Sequence, residues 1–157
     1  MQSAKILSYS DLDSIKKNEK NIVLVGGCFD IIHIGHIRFL KNAKTYGDVL
    51  IVALESDEFV RVKKKRHPLH TQDERAEVVA ALSSVDYVVM LPFFNSEAEY
   101  MSLVEKIAPR IIAITKGDPQ KDNKKKQAEY VGGYVVEVLE PVPSKTSSRL
   151  LEQLAKL

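Results

Sequence analysis

Residues 22–36 read Ile22-Val23-Leu24-Val25-Gly26-Gly27-Cys28-Phe29-Asp30-Ile31-Ile32-His33-Ile34-Gly35-His36. The apolar, β-branched-rich run at 22–25 has the character of a parallel strand buried on both faces. The glycines after it let the backbone turn sharply and come close to a ligand. A helix that begins at about His33 presents unpaired amides and the positive end of its dipole to an anion. Strand, glycine turn and helix N-terminus together outline a phosphate site. His33 and His36 are three residues apart, so both lie on one face of the first helical turn and reach the same phosphate. Gly35 between them removes a side chain that would obstruct the approach. Imidazoles and amides converging on one phosphate suit the stabilisation of charge that builds up in a transition state. The competing reading is that the two histidines merely cap a helix.

Outward from this stretch, similar apolar runs at 49–54, 87–91, 111–114 and 134–139 give five strands in all. Amphipathic stretches separate them. Thr71-Gln72-Asp73-Glu74 and Ser96-Glu97-Ala98-Glu99 fit the capping box that satisfies the amides of a first helical turn. Gly132 and Gly133 stand where a helix stops. A short helix is predicted near Ser10 and a last one over 147–157, with Leu150, Leu151 and Leu154 on its apolar face. Alternation of strand and helix predicts an α/β fold, a Rossmann-like, doubly wound, five-stranded parallel sheet. Its ligands lie beyond the carboxyl ends of the strands. No repeat or linker divides the chain, so 1–157 reads as one domain with a short helical extension over 1–20.

Composition narrows the function. A chain of 157 residues is the size of one domain, and with 45% hydrophobic and 28% charged residues it needs no disulfide or structural metal to fold. The lone Cys28 forms no internal bridge, no stretch approaches a membrane span and the start lacks a signal peptide's apolar run. The expected location is cytoplasmic, with no membrane partner. A formal charge of +2 does not call for a nucleic-acid partner. Two basic clusters stand out: Lys63, Lys64, Lys65 and Arg66, and Lys124, Lys125 and Lys126. The second falls within a helical pattern and reads as an exposed face. His67 and His70 read as loop residues, because nothing at metal-ligand spacing accompanies them, and no metal site is expected.

The loop contains neither G-x-x-x-x-G-K-[ST] nor G-x-G-x-x-G. Gly27-x-Phe29-Asp30-x-x-His33-x-Gly35-His36 instead resembles the signature of the cytidylyltransferase-like nucleotidyltransferases. The resemblance implies a catalytic role for His33 and His36, which bind the triphosphate and stabilise the transferring α-phosphate. It implies that Gly26, Gly27, Cys28, Phe29, Asp30 and Gly35 line the nucleotide. Cys28 has no partner base in the sequence and is a packing residue of that loop, not a nucleophile. Lys44 resembles the family segment that ends the first helix, and with Asp57 and Lys64 it is a candidate acceptor contact. Asp57 either supports that site or caps a helix. Arg75 resembles a recurrent arginine of structural character. The family's basic loops reach over the phosphates, which implies Lys63 as a catalytic group and Lys65 as a nucleotide contact; a solvated charge run is the alternative. Lys116, Gly117 and Asp118 follow the fourth strand, near the base. Thr146, Ser147 and Ser148 match an element that holds the β- and γ-phosphates at the start of the last helix; a plain N-cap is the alternative.

Family cytidylyltransferases acting on glycerol phosphate or phosphoethanolamine carry arginines where this chain has Ser83-Ser84-Val85-Asp86 and Pro141-Val142-Pro143-Ser144-Lys145-Thr146. Heptose 1-phosphate adenylyltransferases lack those arginines and share Val85-Asp86 and Gly117-Asp118, although their Lys-Gly-Gly-Asp-Tyr becomes Thr115-Lys116-Gly117-Asp118-Pro119 here. The expectation is transfer of a nucleoside monophosphate, favoured from ATP, to a phosphorylated acceptor such as heptose 1-phosphate. Magnesium would arrive with the triphosphate. The alternatives are a CTP-dependent enzyme acting on glycerol 3-phosphate or a phospho-alcohol, and a non-catalytic nucleotide-binding module. A homodimer is expected only because relatives form one.

Overall fold

The computed structural model describes residues 5–15, 21–139 and 147–157. Its strands are β1 (Ile6–Ser8), β2 (Ile22–Gly27), β3 (Val49–Leu54), β4 (Tyr87–Met90), β5 (Ile111–Thr115) and β6 (Tyr134–Leu139). Its α-helices are α1 (Ile34–Lys44), α2 (Asp57–Lys63), α3 (Gln72–Ala80), α4 (Glu97–Ile107), α5 (Lys121–Tyr130) and α6 (Ser147–Leu154). All strand pairs are parallel, in the order β1-β4-β3-β2-β5-β6. Five strands are predicted from the sequence and six are present among the described residues. The additional one, β1, spans three residues, too few for an apolar alternation to show. It corrects the helical reading of the N-terminal region, and the helix predicted near Ser10 is a single 3₁₀ stretch, Tyr9–Ser14.

The sheet is covered on both faces, which explains why its central strands are continuously apolar. Every residue of β3 is buried. Phe39, Leu40 and Ala43 of α1 pack with Ala76, Val79 and Ala80 of α3 on one face. Leu103, Val104 and Ile107 of α4 pack with Ala128 of α5 and Leu12 on the other. Helix starts follow the predicted chemistry: Glu74 accepts from the Thr71 amide at 2.8 Å, and Glu99 accepts from the amides of Asn95 and Ser96 at 2.7 and 2.9 Å. Helix α5 stops where Gly132 enters the left-handed region at φ +77°, which a glycine adopts without steric cost.

From β2 the chain moves through β3 to β4 on one side, then crosses back to lay β5 against the other side of β2. The order of strands reverses between β2 and β5, so a crevice opens there beyond the carboxyl ends.

Candidate active site

A cleft of about 970 Å³ runs along that carboxyl edge, and Gly26, Gly27, Cys28, Phe29, Asp30 and His36 contribute to its lining. Gly27 is required by a close approach: a Cβ there would stand 2.8 Å from the Phe29 ring. Phe29 itself lies at φ +48°, a conformation that costs a non-glycine residue and marks functional turns.

His33 is the N-cap of α1, and its Nδ1 accepts from the Gly35 amide at 3.1 Å. His36 reaches back so that its Nδ1 accepts from the His33 amide at 3.4 Å. The pair forms a capping box built from imidazoles, with ring centroids 3.9 Å apart. The capping reading and the phosphate reading are therefore compatible, because a neutral imidazole that accepts at Nδ1 carries its proton on Nε2. Burial, followed by the field of His33, pushes His36 down to about 4 against an opposing interaction with the Ile31 backbone. At neutral pH His36 is uncharged and donates a hydrogen bond to the Ile31 backbone carbonyl.

Two predicted contacts are engaged in holding the loop together. Asp30 is 4% exposed; its carboxylate accepts from Arg66 at 2.5 Å and from the amides of Leu69 and His70 at 3.0 Å. Burial pushes the Asp30 carboxyl up, but Arg66 and the two amides outweigh it and hold the group below its ordinary value. Asp57 neither caps a helix nor lines the cleft. Ser56 is the cap of α2, accepting from the Phe59 amide at 3.1 Å, and Asp57 pairs with Arg75 at 2.7 Å. Arg75 also donates to the carbonyls of Cys28 at 2.6 Å, Glu55 at 2.9 Å and His70 at 3.2 Å. This one buried guanidinium joins the glycine turn, the end of β3, the start of α2 and the segment before α3.

Lys63 and Lys64 line the cleft, as do Lys116, Gly117, Asp118 and Ser148, whereas His33, Gly35 and Lys65 are outside the lining. The Asp118 carboxylate accepts from the Gln120 amide and pairs with Lys124 at 2.7 Å. Lys124 lines the cleft and corrects its reading as part of an exposed face. Lys44 is brought to the opposite edge of the sheet. Its Nζ lies 2.6 Å from Asp86 and bonds the Asp48 carbonyl, beside the beginning of β3, so it is separated from the other candidate contacts. Thr146 lies outside the described residues, and Ser147 begins α6. Burial raises the Cys28 thiol, partly countered by Lys64, in keeping with a packing role. Among the described residues no group of three or more His, Cys, Asp or Glu is arranged to hold a metal ion. None of the described helices is long and apolar enough to cross a membrane.

In Glu55-Ser56-Asp57, the acidic segment that ends the second predicted strand, sequence reasoning favours Asp57, but it is Glu55, the first residue after β3, that lines the cleft at 8% exposure. A charged residue directly after a wholly apolar strand at the ligand edge was the available signal. Tyr100 of α4 donates to Glu55 Oε1 at 2.9 Å. Burial raises the Glu55 carboxyl to about 7, against the Tyr100 bond and the fields of Lys124, Lys64 and Arg75. Burial and the Glu55 charge also raise the Tyr100 hydroxyl. A carboxyl raised in this way binds more protons folded than unfolded. Its stabilising contribution is complete below about 4.5 and is lost as pH rises through about 7. Glu55→Gln does not ionise, so its melting temperature should gain on the wild type between about pH 5 and about pH 8. A difference that stays constant over that range would show that Glu55 does not titrate with the fold.

Fold and site define a parallel α/β domain with a cleft at the carboxyl edge of its sheet, beside the N-terminus of α1. The cytidylyltransferase-like family model matches residues 24–149, and the chain belongs to that family as a nucleotidyltransferase-like domain. Its relatives include the bifunctional protein HldE of Geotalea uraniireducens, 36% identical over 158 residues, spanning 96% of this chain and 31% of that protein. The bifunctional protein HldE of Aliarcobacter butzleri is 45% identical over 94 residues, spanning 59% of this chain and 19% of that protein. The chain thus spans about a third or less of the length of these relatives. The lipopolysaccharide core biosynthesis protein of Thermoplasma volcanium superposes with a TM-score of 0.62 at 27% identity, over 77% of this chain and 96% of that one. The pantoate-beta-alanine ligase of Francisella tularensis shares the fold, with a TM-score of 0.64 at 15% identity over 99% of this chain and 79% of that one.

Proposed function

We propose that the domain transfers an adenylyl group from ATP to the phosphate of a sugar phosphate such as heptose 1-phosphate and releases pyrophosphate. The observation that carries this reading is the imidazole capping box at the mouth of the β2–β5 crevice, supported by the HldE relatives. An acceptor phosphate oxygen attacks the α-phosphorus in line, the bond from that phosphorus to the α,β-bridging oxygen breaks, and pyrophosphate leaves. His36 donates from Nε2 to the α-phosphate as negative charge grows there, without a proton having to be transferred. Lys63 and Lys64 at the rim bring together two phosphorylated substrates that would otherwise repel each other. The groups that would meet the phosphates are donors and cations, so a magnesium ion would be carried by triphosphate oxygens and water, where it offsets charge.

Adenine is favoured over cytosine because Thr115-Lys116-Gly117-Asp118-Pro119 and the chain before α6 lack the arginines of the family's cytidylyltransferases. A site built to hydrogen-bond one base leaves buried polar groups unpaired with the other. ATP with magnesium should therefore raise the melting temperature, as a ligand binding only the folded state does. CTP at equal concentration should raise it much less. Pyrophosphate release with heptose 1-phosphate, measured with each nucleotide, completes the test. A larger shift and turnover with CTP would replace the adenylyl reading with a cytidylyl one.

A further inference from the structure

Glu55 holds an oxygen that no described residue satisfies. Its Oε1 accepts from Tyr100, while Oε2 is buried without a hydrogen-bond partner. Buried polar atoms are rarely left in this state, and an orphan lining an open cleft is a place for a ligand group. Its position indicates which ligand. The nucleotide has the β2–β5 crevice, at the reversal of strand order. Glu55 follows β3, on the other side of β2, and its partner Tyr100 comes from α4, which packs on the face opposite α1 and its histidines. The cleft continues there along Phe94, Asn95, Ser96 and Glu97. A carboxyl group makes this wall a poor place for a phosphate and a good one for a hydrogen-bond donor. The fields of Lys124, Lys64 and Arg75 already reach Glu55, so a neutral donor fits better than another cation.

We propose that Glu55 Oε2 accepts a hydrogen bond from a hydroxyl of the phosphorylated acceptor, making the wall of Glu55 and Tyr100 the element that selects polyhydroxylated sugar phosphates. This rests on the transferase reading and adds to it the residue that recognises the acceptor's carbon skeleton. The phosphate of the acceptor lies toward Lys63 and Lys64, and its hydroxyl-bearing part lies toward Glu55.

Calorimetric titration of the full chain tests this. Heptose 1-phosphate, mannose 1-phosphate and phosphoethanolamine are titrated with α,β-methylene-ATP and magnesium present, into the wild type, Glu55→Leu and Glu55→Gln. At about pH 8.5, where Glu55 is ionised, a hydrogen bond to its charged group is worth more than a neutral one, so Glu55→Leu should weaken sugar phosphate binding roughly 10-fold to 100-fold. Glu55→Gln, which keeps an acceptor oxygen, should recover part of that loss. The affinity for α,β-methylene-ATP should stay the same in all three proteins. Sugar phosphate affinity unchanged in both variants overturns the proposal, and so does an equal loss of nucleotide affinity, which would assign Glu55 to the nucleotide. Preference of the wild type for phosphoethanolamine, or binding of no sugar phosphate while the nucleotide still binds, also overturns it. Failure of the wild type to bind α,β-methylene-ATP would instead remove the transferase reading on which it rests. If Glu55→Leu does not fold, the Glu55→Gln comparison still decides.

Discussion

His36→Ala is expected to lower turnover by roughly 100-fold to 1,000-fold, the usual effect of removing one preorganised transition-state donor. His36 carries a proton on Nε2, lines the cleft and stays uncharged down to about pH 4. It therefore provides a fixed dipole without drawing the triphosphate in as a cation would. The effect should fall mainly on kcat, because an interaction that strengthens only as charge develops adds little to ground-state binding. The substitution also removes one half of the α1 capping box, where losing a cap costs about 0.5–2 kcal/mol. A melting curve must accompany the kinetics. The capping bond of His36 is the longer of the two, at 3.4 Å against 3.1 Å for His33, so His36→Ala separates chemistry from helix stability better than the same change at His33. Pyrophosphate release near the wild-type rate from a folded His36→Ala protein would remove this imidazole from the reaction.

Arg75→Ala is expected to be the most destabilising single change in the site. The side chain of Arg75 is fully buried, and its guanidinium makes four hydrogen bonds to four segments of the chain. Truncation leaves the Asp57 carboxylate and the Cys28 and Glu55 carbonyls without their donor. Removing one partner of a buried ion pair costs about 3–5 kcal/mol, which for a domain of this size lowers the melting temperature by roughly 6–20 °C. Arg75→Lys should recover little, because a single ammonium cannot reproduce the planar fork of donors. Differential scanning calorimetry gives the answer directly. A melting temperature within a degree or two of the wild type would mean that water replaces the guanidinium and that the four segments do not depend on it.

The contrast between His36 and Arg75 indicates what could be read in the sequence. His33, Gly35 and His36 form their arrangement within one helical turn, so spacing was enough to place them on a common face. The α3 and α4 capping boxes were legible for the same reason. Asp30 finds Arg66, and Arg75 finds Cys28, across separations of 36 and 47 residues. A carboxylate in a signature motif looks alike whether it faces a ligand or ties down a distant loop. Lys44 and Lys124 exchanged their expected roles because a helical pattern reveals which face is polar, but not which polar residue sits at the ligand end of the sheet. The place of Glu55 after an apolar strand was legible, but its unsatisfied oxygen is a property of the packed cleft.

The edge strand β1 gives this domain an uneven order of assembly during synthesis. The β2–β3 pairing lies within residues 22–54, so it can form as soon as that segment is exposed. By contrast, Ile6, Leu7 and Ser8 pair with Val88, Val89 and Met90, and Lys5 bonds the Val85 carbonyl. For more than half the length of the chain, the earliest-made strand has no neighbour to join. Until β4 emerges β1 has no strand to join, and the crevice beside β2 waits longer still, for β5. The far border of the sheet is sealed by a segment made well before its partner.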